Sequence, residues 1–155
     1  METHTPVTTA LDAWAVSYRL HLHQGPISSL EQAARERGLS PEQIVRSLLF
    51  RLENGGFVLV LMPGPAKVSW PKLRRRLGVT RLTTADAEVV QAITGYPPGS
   101  VSPYGLHSPM RLLADLRLIR HTTVSIGAGI PNAGVILRTE DLLRTLLPEL
   151  DDLGE

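Results

Sequence analysis

Apolar residues change their period along the chain, and each change marks a predicted element. Leu11, Trp14, Ala15 and Tyr18 recur at helical spacing and predict a first helix that ends near Arg19. Leu20-His21-Leu22-His23 alternates instead, which predicts a short strand, and Gly25-Pro26 turns the chain after it. Ser28 with Glu31 forms a capping-box pattern, in which each side chain satisfies an otherwise orphan backbone N–H, so a helix is expected there with Gly38 as its stop. Ser40-Pro41-Glu42-Gln43 repeats the start signal with proline at the first helical position, where its missing N–H costs nothing. This second short helix is expected to end before Arg46.

Ser47–Phe50 and Phe57–Leu61 are apolar runs of strand length around Asn54-Gly55-Gly56, a hairpin signal. Their unbroken apolarity predicts burial on both faces. A basic helix is expected from Pro71 to Leu77 with Gly78 as stop, and another from Ala85 to Ile93 with Thr84 as cap and Gly95 as stop. Met110–Ala114, Thr123–Ile126 and Val135–Arg138 read as strands, and Thr139-Glu140-Asp141 opens a last helix whose early acids suit the helix dipole. Helices alternate with strands but hairpins intervene. The expected fold class is therefore mixed α/β (α+β), a single domain with one curved, mixed β-sheet flanked by helices. Residues 1–8 are expected to be frayed, 9–148 to form the domain, and 149–155 to be an acidic tail.

At 155 residues, with 43% hydrophobic residues and mean hydropathy near zero, the chain can bury an ordinary core without staples. It has no cysteine, which excludes disulfides, thiolate metal sites and a cysteine nucleophile. No apolar run approaches the length of about 20 residues that a membrane span needs, and the polar start lacks a signal-peptide core, so a cytoplasmic protein without membrane contact is expected. A net charge of +1 does not suit a protein that coats DNA. Local contact with RNA remains compatible, because Lys72, Arg74, Arg75 and Arg76 cluster on one segment. His21 and His23 share a strand face but lack a third ligand, so no metal is expected. There is no glycine-x-serine-x-glycine elbow, phosphate loop or dinucleotide fingerprint, and no cofactor is expected.

One segment stands out chemically. In Thr94–Gly105, TGYPPGSVSPYG, prolines stiffen both ends of Pro97–Pro103 and Gly99 can take positive φ. A plain turn fits this pattern. So does a nest in which the N–H groups of Ser100, Val101 and Ser102 converge on an oxygen.

The order of SSLEQAARERGLSPEQIVRSLLF, VLVLMPG, KLRRRLG, TGYPPGSVSPYG and VSIGAGIPNAGVILRTEDLL resembles the YbaK and prolyl-tRNA synthetase editing-domain family, over about residues 20–147. The resemblance implies a free-standing hydrolase that cleaves the ester between a wrong amino acid and the 3′ acceptor end of tRNA. Such a second sieve is useful because a synthetase pocket gains only about 1–3 kcal/mol of discrimination per methylene. It also implies site residues. The loop Gly99, Ser100, Val101, Ser102 and Pro103 would place the substrate, with Tyr96 and His107 beside it. Arg46 stands where the family carries a lysine, and an arginine keeps the charge but cannot act as a base at neutral pH. Asp115 would hold the substrate ammonium or orient water. Gly127, where relatives often carry serine, and Gly129 would let backbone approach the aminoacyl group. Lys72, Arg74, Arg75 and Arg76 would contact the RNA. The alternative is a non-catalytic protein that keeps the fold and binds aminoacyl-tRNA or an amino acid.

Overall fold

The structure is a computed structural model and describes residues 3–155. In chain order its helices are α1 (Pro6–Ala13), α2 (Leu30–Arg37), α3 (Trp70–Leu77), α4 (Ala87–Thr94) and α5 (Thr139–Leu146). Its strands are β1 (Tyr18–Leu22), β2 (Val45–Leu52), β3 (Phe57–Pro63), β4 (Leu82–Thr84), β5 (Arg111–Asp115), β6 (Thr123–Gly127), β7 (Ala133–Arg138) and β8 (Glu149–Asp151). Short 3₁₀ turns cover Pro41–Gln43 and Leu116–Arg120.

The mixed α/β single domain is as expected, but the strands form two sheets instead of one. Three antiparallel strands run in the order β1-β7-β6, and five mixed strands in the order β4-β2-β3-β5-β8. A parallel bridge between Ile44 and Ser125 joins them. The division follows from pairing: the β6–β7 hairpin takes β1 on its free side, whereas β3 pairs antiparallel with β2 and parallel with β5.

The core lies in two layers separated by the five-stranded sheet. Val45, Leu49, Leu59 and Leu61 pack with Val124, Ile126, Val135 and Leu137 of the other sheet and with Val7 and Leu11 of α1. Phe50, Val58, Val60 and Met62 face the other way, onto Leu73 of α3 and Leu153. Strand β3 is thus buried on both faces, as its unbroken apolarity predicted. Each fully buried aliphatic side chain of this kind contributes about 1.5–3 kcal/mol.

Several boundaries differ from the sequence reading, each for a local reason. The start is not frayed over the described residues 3–8, since Thr5 caps α1, accepting from the N–H of Val7 and Thr8, and Val7 is buried. Residues 1 and 2 of the expected frayed segment lie outside the described ones. Ala15, at φ 57°, ends the helix early, so Tyr18 opens a strand and Trp14 is left exposed. Ser29 caps α2 in place of Ser28, and Asp86 caps α4 in place of Thr84, which ends a strand missed in the sequence. Pro41–Gln43 makes only a 3₁₀ turn because Ile44 is already extended and bridged to Ser125.

The expected acidic tail is part of the fold. Strand β8 pairs in parallel with β5, Leu153 is fully buried, and the Ser69 N–H donates to the Leu153 carbonyl at 2.8 Å. Its acids meet the basic face of α3 and its neighbour: Lys72 to Asp152 at 2.7 Å, Arg76 to Glu149 at 3.2 Å and to Asp151 at 3.5 Å, and Arg111 to Glu149 at 2.6 Å. The Arg111 hydrogen bond, helped by Arg76, holds the Glu149 carboxyl at about 2, below its ordinary 4.5. A depressed carboxyl contributes stability that is present above its unfolded value and lost as pH falls through its folded one. Glu149→Gln is therefore expected to flatten the acid limb of stability between pH 4.5 and about 2. The effect is about 1 kcal/mol or less, since these pairs are solvent-screened, and urea unfolding at neutral and acid pH measures it. No helix among the described residues is long and apolar enough to cross a membrane.

Candidate functional site

A cavity of about 630 Å³ opens where the start of β2, the Ile27–Arg37 segment, the loop Pro98–Val101 and the ends of the β6–β7 hairpin meet. That volume suits a small-molecule ligand. Its wall is partly apolar, through Ile27, Leu30, Val45, Val101 and Ile126, and partly polar, through Ser28, Ser29, Arg37, Arg46, Ser47, Ser100 and Asn132. Among the described residues that line it none is acidic.

The Gly99–Pro103 loop is held from both sides. Gly99, at φ 85°, follows the turn closed by Ser100 N–H to the Pro97 carbonyl at 3.0 Å. On the outer side, Tyr96 is buried and its hydroxyl donates to the Tyr104 carbonyl at 2.5 Å, while the Tyr104 N–H donates to Ser102 Oγ at 3.1 Å. On the inner side, the Gly129 N–H donates to the Ser100 carbonyl at 3.0 Å. Gly127 lies so close beneath the loop that a Cβ there would be 2.2 Å from the Val101 carbonyl oxygen. Gly127 therefore lets backbone approach backbone, whereas Gly129, at φ 83°, makes room for the Tyr96 ring, 2.9 Å from where its Cβ would lie. Ser100, one of the three expected nest donors, spends its N–H inside the turn. The N–H groups of Val101 and Ser102 make no hydrogen bond to the described residues, and Val101 lines the cavity.

Arg46 and Ser47 occupy adjacent positions of β2 with different consequences. Alternation sends Arg46 to the side of Leu48 and Phe50, away from the layer that holds Val101. There its Nη2 donates to the Ala66 carbonyl, and Nε is buried with no acceptor among the described residues. Burial pushes its pKa down, yet arginine remains a cation. Arg46 thus contributes to the cavity wall while its guanidinium is engaged elsewhere. Ser47 sits on the Val45 and Leu49 side, and its Oγ is buried without a partner among the described residues.

Arg37 was not among the candidates from sequence. It closes the buried face of α2, following Leu30, Ala33 and Ala34 at helical spacing, and is 9% exposed. A charge on that stripe was the available signal. Its Nε donates to His23 Nε2 at 3.1 Å, Nη1 to Ser125 Oγ at 3.0 Å and Nη2 to the Ala133 carbonyl at 3.2 Å. Since His23 Nε2 accepts, its Nδ1 is the donor to Glu36 Oε1 at 2.8 Å. His21 packs edge-on against this ring at 4.6 Å. His23 thus serves to hold Arg37.

Other expected site residues lie elsewhere. Asp115 is fully buried but does not line the cavity: Oδ1 accepts from the Arg117 N–H at 2.9 Å, Oδ2 from the Leu153 N–H at 2.8 Å, and Arg117 Nη1 bridges both oxygens. It ties β5 to the C-terminal segment, and these partners, not the cavity, take up its carboxylate. Tyr96 braces the loop from behind, and burial pushes its hydroxyl up to about 12. His107 is exposed and packs over Gly95, away from the cavity wall. In the expected RNA-contact segment, Lys72 and Arg76 are engaged by the C-terminal acids, which leaves Arg74 and Arg75 without an ion pair among the described residues.

The profile of the aminoacyl-tRNA editing domain family matches residues 24–145, which include every element of the cavity. A multifunctional Ser/Thr-tRNA deacylase of Escherichia coli (strain K12), ProXp-y, is 26% identical over 152 residues, 96% of this chain and 90% of that one. A proline–tRNA ligase of Bacillus licheniformis is 33% identical over 107 residues, 69% of this chain but 18% of the ligase. The crystal structure of a candidate trans-editing enzyme for prolyl tRNA synthetase superposes with a TM-score of 0.89 at 28% identity, covering 97% of this chain and 95% of that one. By sequence and by fold, the chain belongs to the aminoacyl-tRNA editing domain family.

Proposed function

We propose that this chain is an aminoacyl-tRNA deacylase that acts in trans, hydrolysing the ester between a mischarged amino acid and the 3′ end of tRNA in the cytoplasm. The observation that carries the assignment is the braced loop over the cavity, with the Val101 N–H left unspent beside a space of suitable size. Family membership and the likeness to a Ser/Thr-tRNA deacylase support it.

Among the described residues that line the cavity none is a histidine, carboxylate or lysine, so none of them is a ready general base. Water is then the attacking group, a vicinal ribose hydroxyl of the substrate assists proton transfer, and loop N–H donors stabilise the oxyanion as the carbonyl becomes tetrahedral. One such donor is worth about 2.7–4 kcal/mol in rate. Ser47 lines the cavity, and its buried Oγ has a hydrogen bond unspent among the described residues, which supports a polar contact on this side of the wall.

Arg46 is a wall residue in this scheme. Arg46→Lys is expected to leave kcat on mischarged tRNA within about threefold; a general base contributes about 10²–10⁴-fold, so a lysine variant faster by about a hundredfold would assign proton transfer to this position. The lack of a base among the described residues that line the cavity also supports a second reading, a non-catalytic binder of aminoacyl-tRNA or an amino acid. A panel of mischarged tRNAs separates the two, since release of an amino acid from any of them above the spontaneous rate requires the enzyme.

A further inference from the structure

A cation held out of water is costly unless acceptors surround it, and the acceptors around Arg37 are incomplete. A guanidinium carries five N–H donors. Three are spent on neutral partners, His23 Nε2, Ser125 Oγ and the Ala133 carbonyl. One N–H on Nη1 and one on Nη2 find no acceptor among the described residues. The carboxylate that acts on Arg37, Glu36, stands behind His23 and is partly exposed.

The position is built for this group. A Cβ at residue 134 would lie 2.3 Å from Arg37 Cζ and 2.5 Å from Nε and Nη1, so Gly134 makes the room in which the guanidinium lies against β7. Glu36 orients His23 and His23 orients Nε, and with the bonds from Nη1 and Nη2 this fixes the plane of the guanidinium. Among the described residues the cavity that Arg37 lines has no acidic wall residue and has a second arginine, so an entering anion meets no like charge from them.

We propose that Arg37 is the oxyanion-binding residue of the cavity. Its two unspent donors take paired oxygens of the ligand, as a guanidinium fork takes phosphate or carboxylate. At the 3′ end of an aminoacyl-tRNA that chemistry has two sources, the phosphodiester of the terminal nucleotide and the carboxylate of an acidic side chain. The inference rests on the deacylase reading for those two sources, but the anion site itself is testable without turnover.

Binding of adenosine 5′-monophosphate against adenosine, and of glutamate against glutamine, is measured by calorimetry at fixed ionic strength for the native protein and for Arg37→Lys, which keeps the charge and loses the fork. The expected result is a loss of about tenfold or more in affinity for at least one anionic probe with its neutral counterpart unchanged. Loss confined to the nucleotide assigns the terminal phosphodiester; loss confined to glutamate assigns an acidic side chain. In the native protein the Arg37 Nε–H resonance should shift with the same probe, a readout that survives if the variant fails to fold. Equal affinity of anionic and neutral probes, with no movement of that resonance, overturns the proposal even where hydrolysis of mischarged tRNA is observed. Where hydrolysis is observed, Arg37→Lys should raise KM for the anion-bearing substrate and spare kcat, whereas a merely structural role would lower turnover on every substrate alike.

Discussion

Asp115→Ala is expected to destabilise the fold by about 3 kcal/mol while the folded fraction keeps its turnover on mischarged tRNA. The carboxylate is fully buried and accepts from the Leu153 N–H, the Arg117 N–H and the Arg117 guanidinium. Alanine leaves these donors without their acceptor, and a buried donor stripped of its partner costs about 1–3 kcal/mol on its own. The Arg117 guanidinium is partly exposed and recovers water, which keeps the total at the low end of a broken buried pair. Urea unfolding gives the stability, and deacylation normalised to folded protein gives the activity. A variant that stays fully folded and loses turnover would return Asp115 to the site.

Gly127→Ala should act in the opposite way, with activity falling further than stability. The new Cβ would lie 2.2 Å from the Val101 carbonyl oxygen and 2.9 Å from that of Ser100, both backbone atoms of the loop. A flexible side chain cannot relieve the clash, so the loop itself must rise, at a cost of about 1–3 kcal/mol for overpacking. A displacement near 1 Å at a reacting centre is worth about a hundredfold in rate, and that is the loss expected in kcat/KM. Serine at this position brings the same Cβ and should behave alike unless the loop is set higher.

These two residues also show what the sequence could and could not say. Gly99–Pro103 was legible because proline and glycine restrict backbone geometry locally, and the structure keeps that geometry at φ 85° for Gly99. The hairpin of β2 and β3 and the two-faced burial of β3 were legible for the same kind of reason, since apolar runs and turn residues speak for themselves. Asp115 was not, because a carboxylate at a strand end looks the same whether it meets substrate or the N–H of Leu153, 38 residues away. Arg37 was hidden by its surroundings: the arginine-rich segment ARERG looks like a solvated face until Gly134, far along the chain, makes space for the guanidinium. The basic cluster at Lys72–Arg76 looked available to RNA because its neutralising partners lie at the other end of the chain. Arg46, expected just before the strand, falls inside β2, and its direction depends on which face of β2 meets the second sheet.

Hydrolysis of a panel of seryl-, threonyl-, alanyl- and cysteinyl-tRNAs, followed as release of labelled amino acid with the chain in excess, tests the deacylase assignment itself. The geometry predicts release from at least one of them well above the spontaneous rate, with Gly127→Ala close to that background. Tight binding of the same tRNAs with no release from any of them would contradict it.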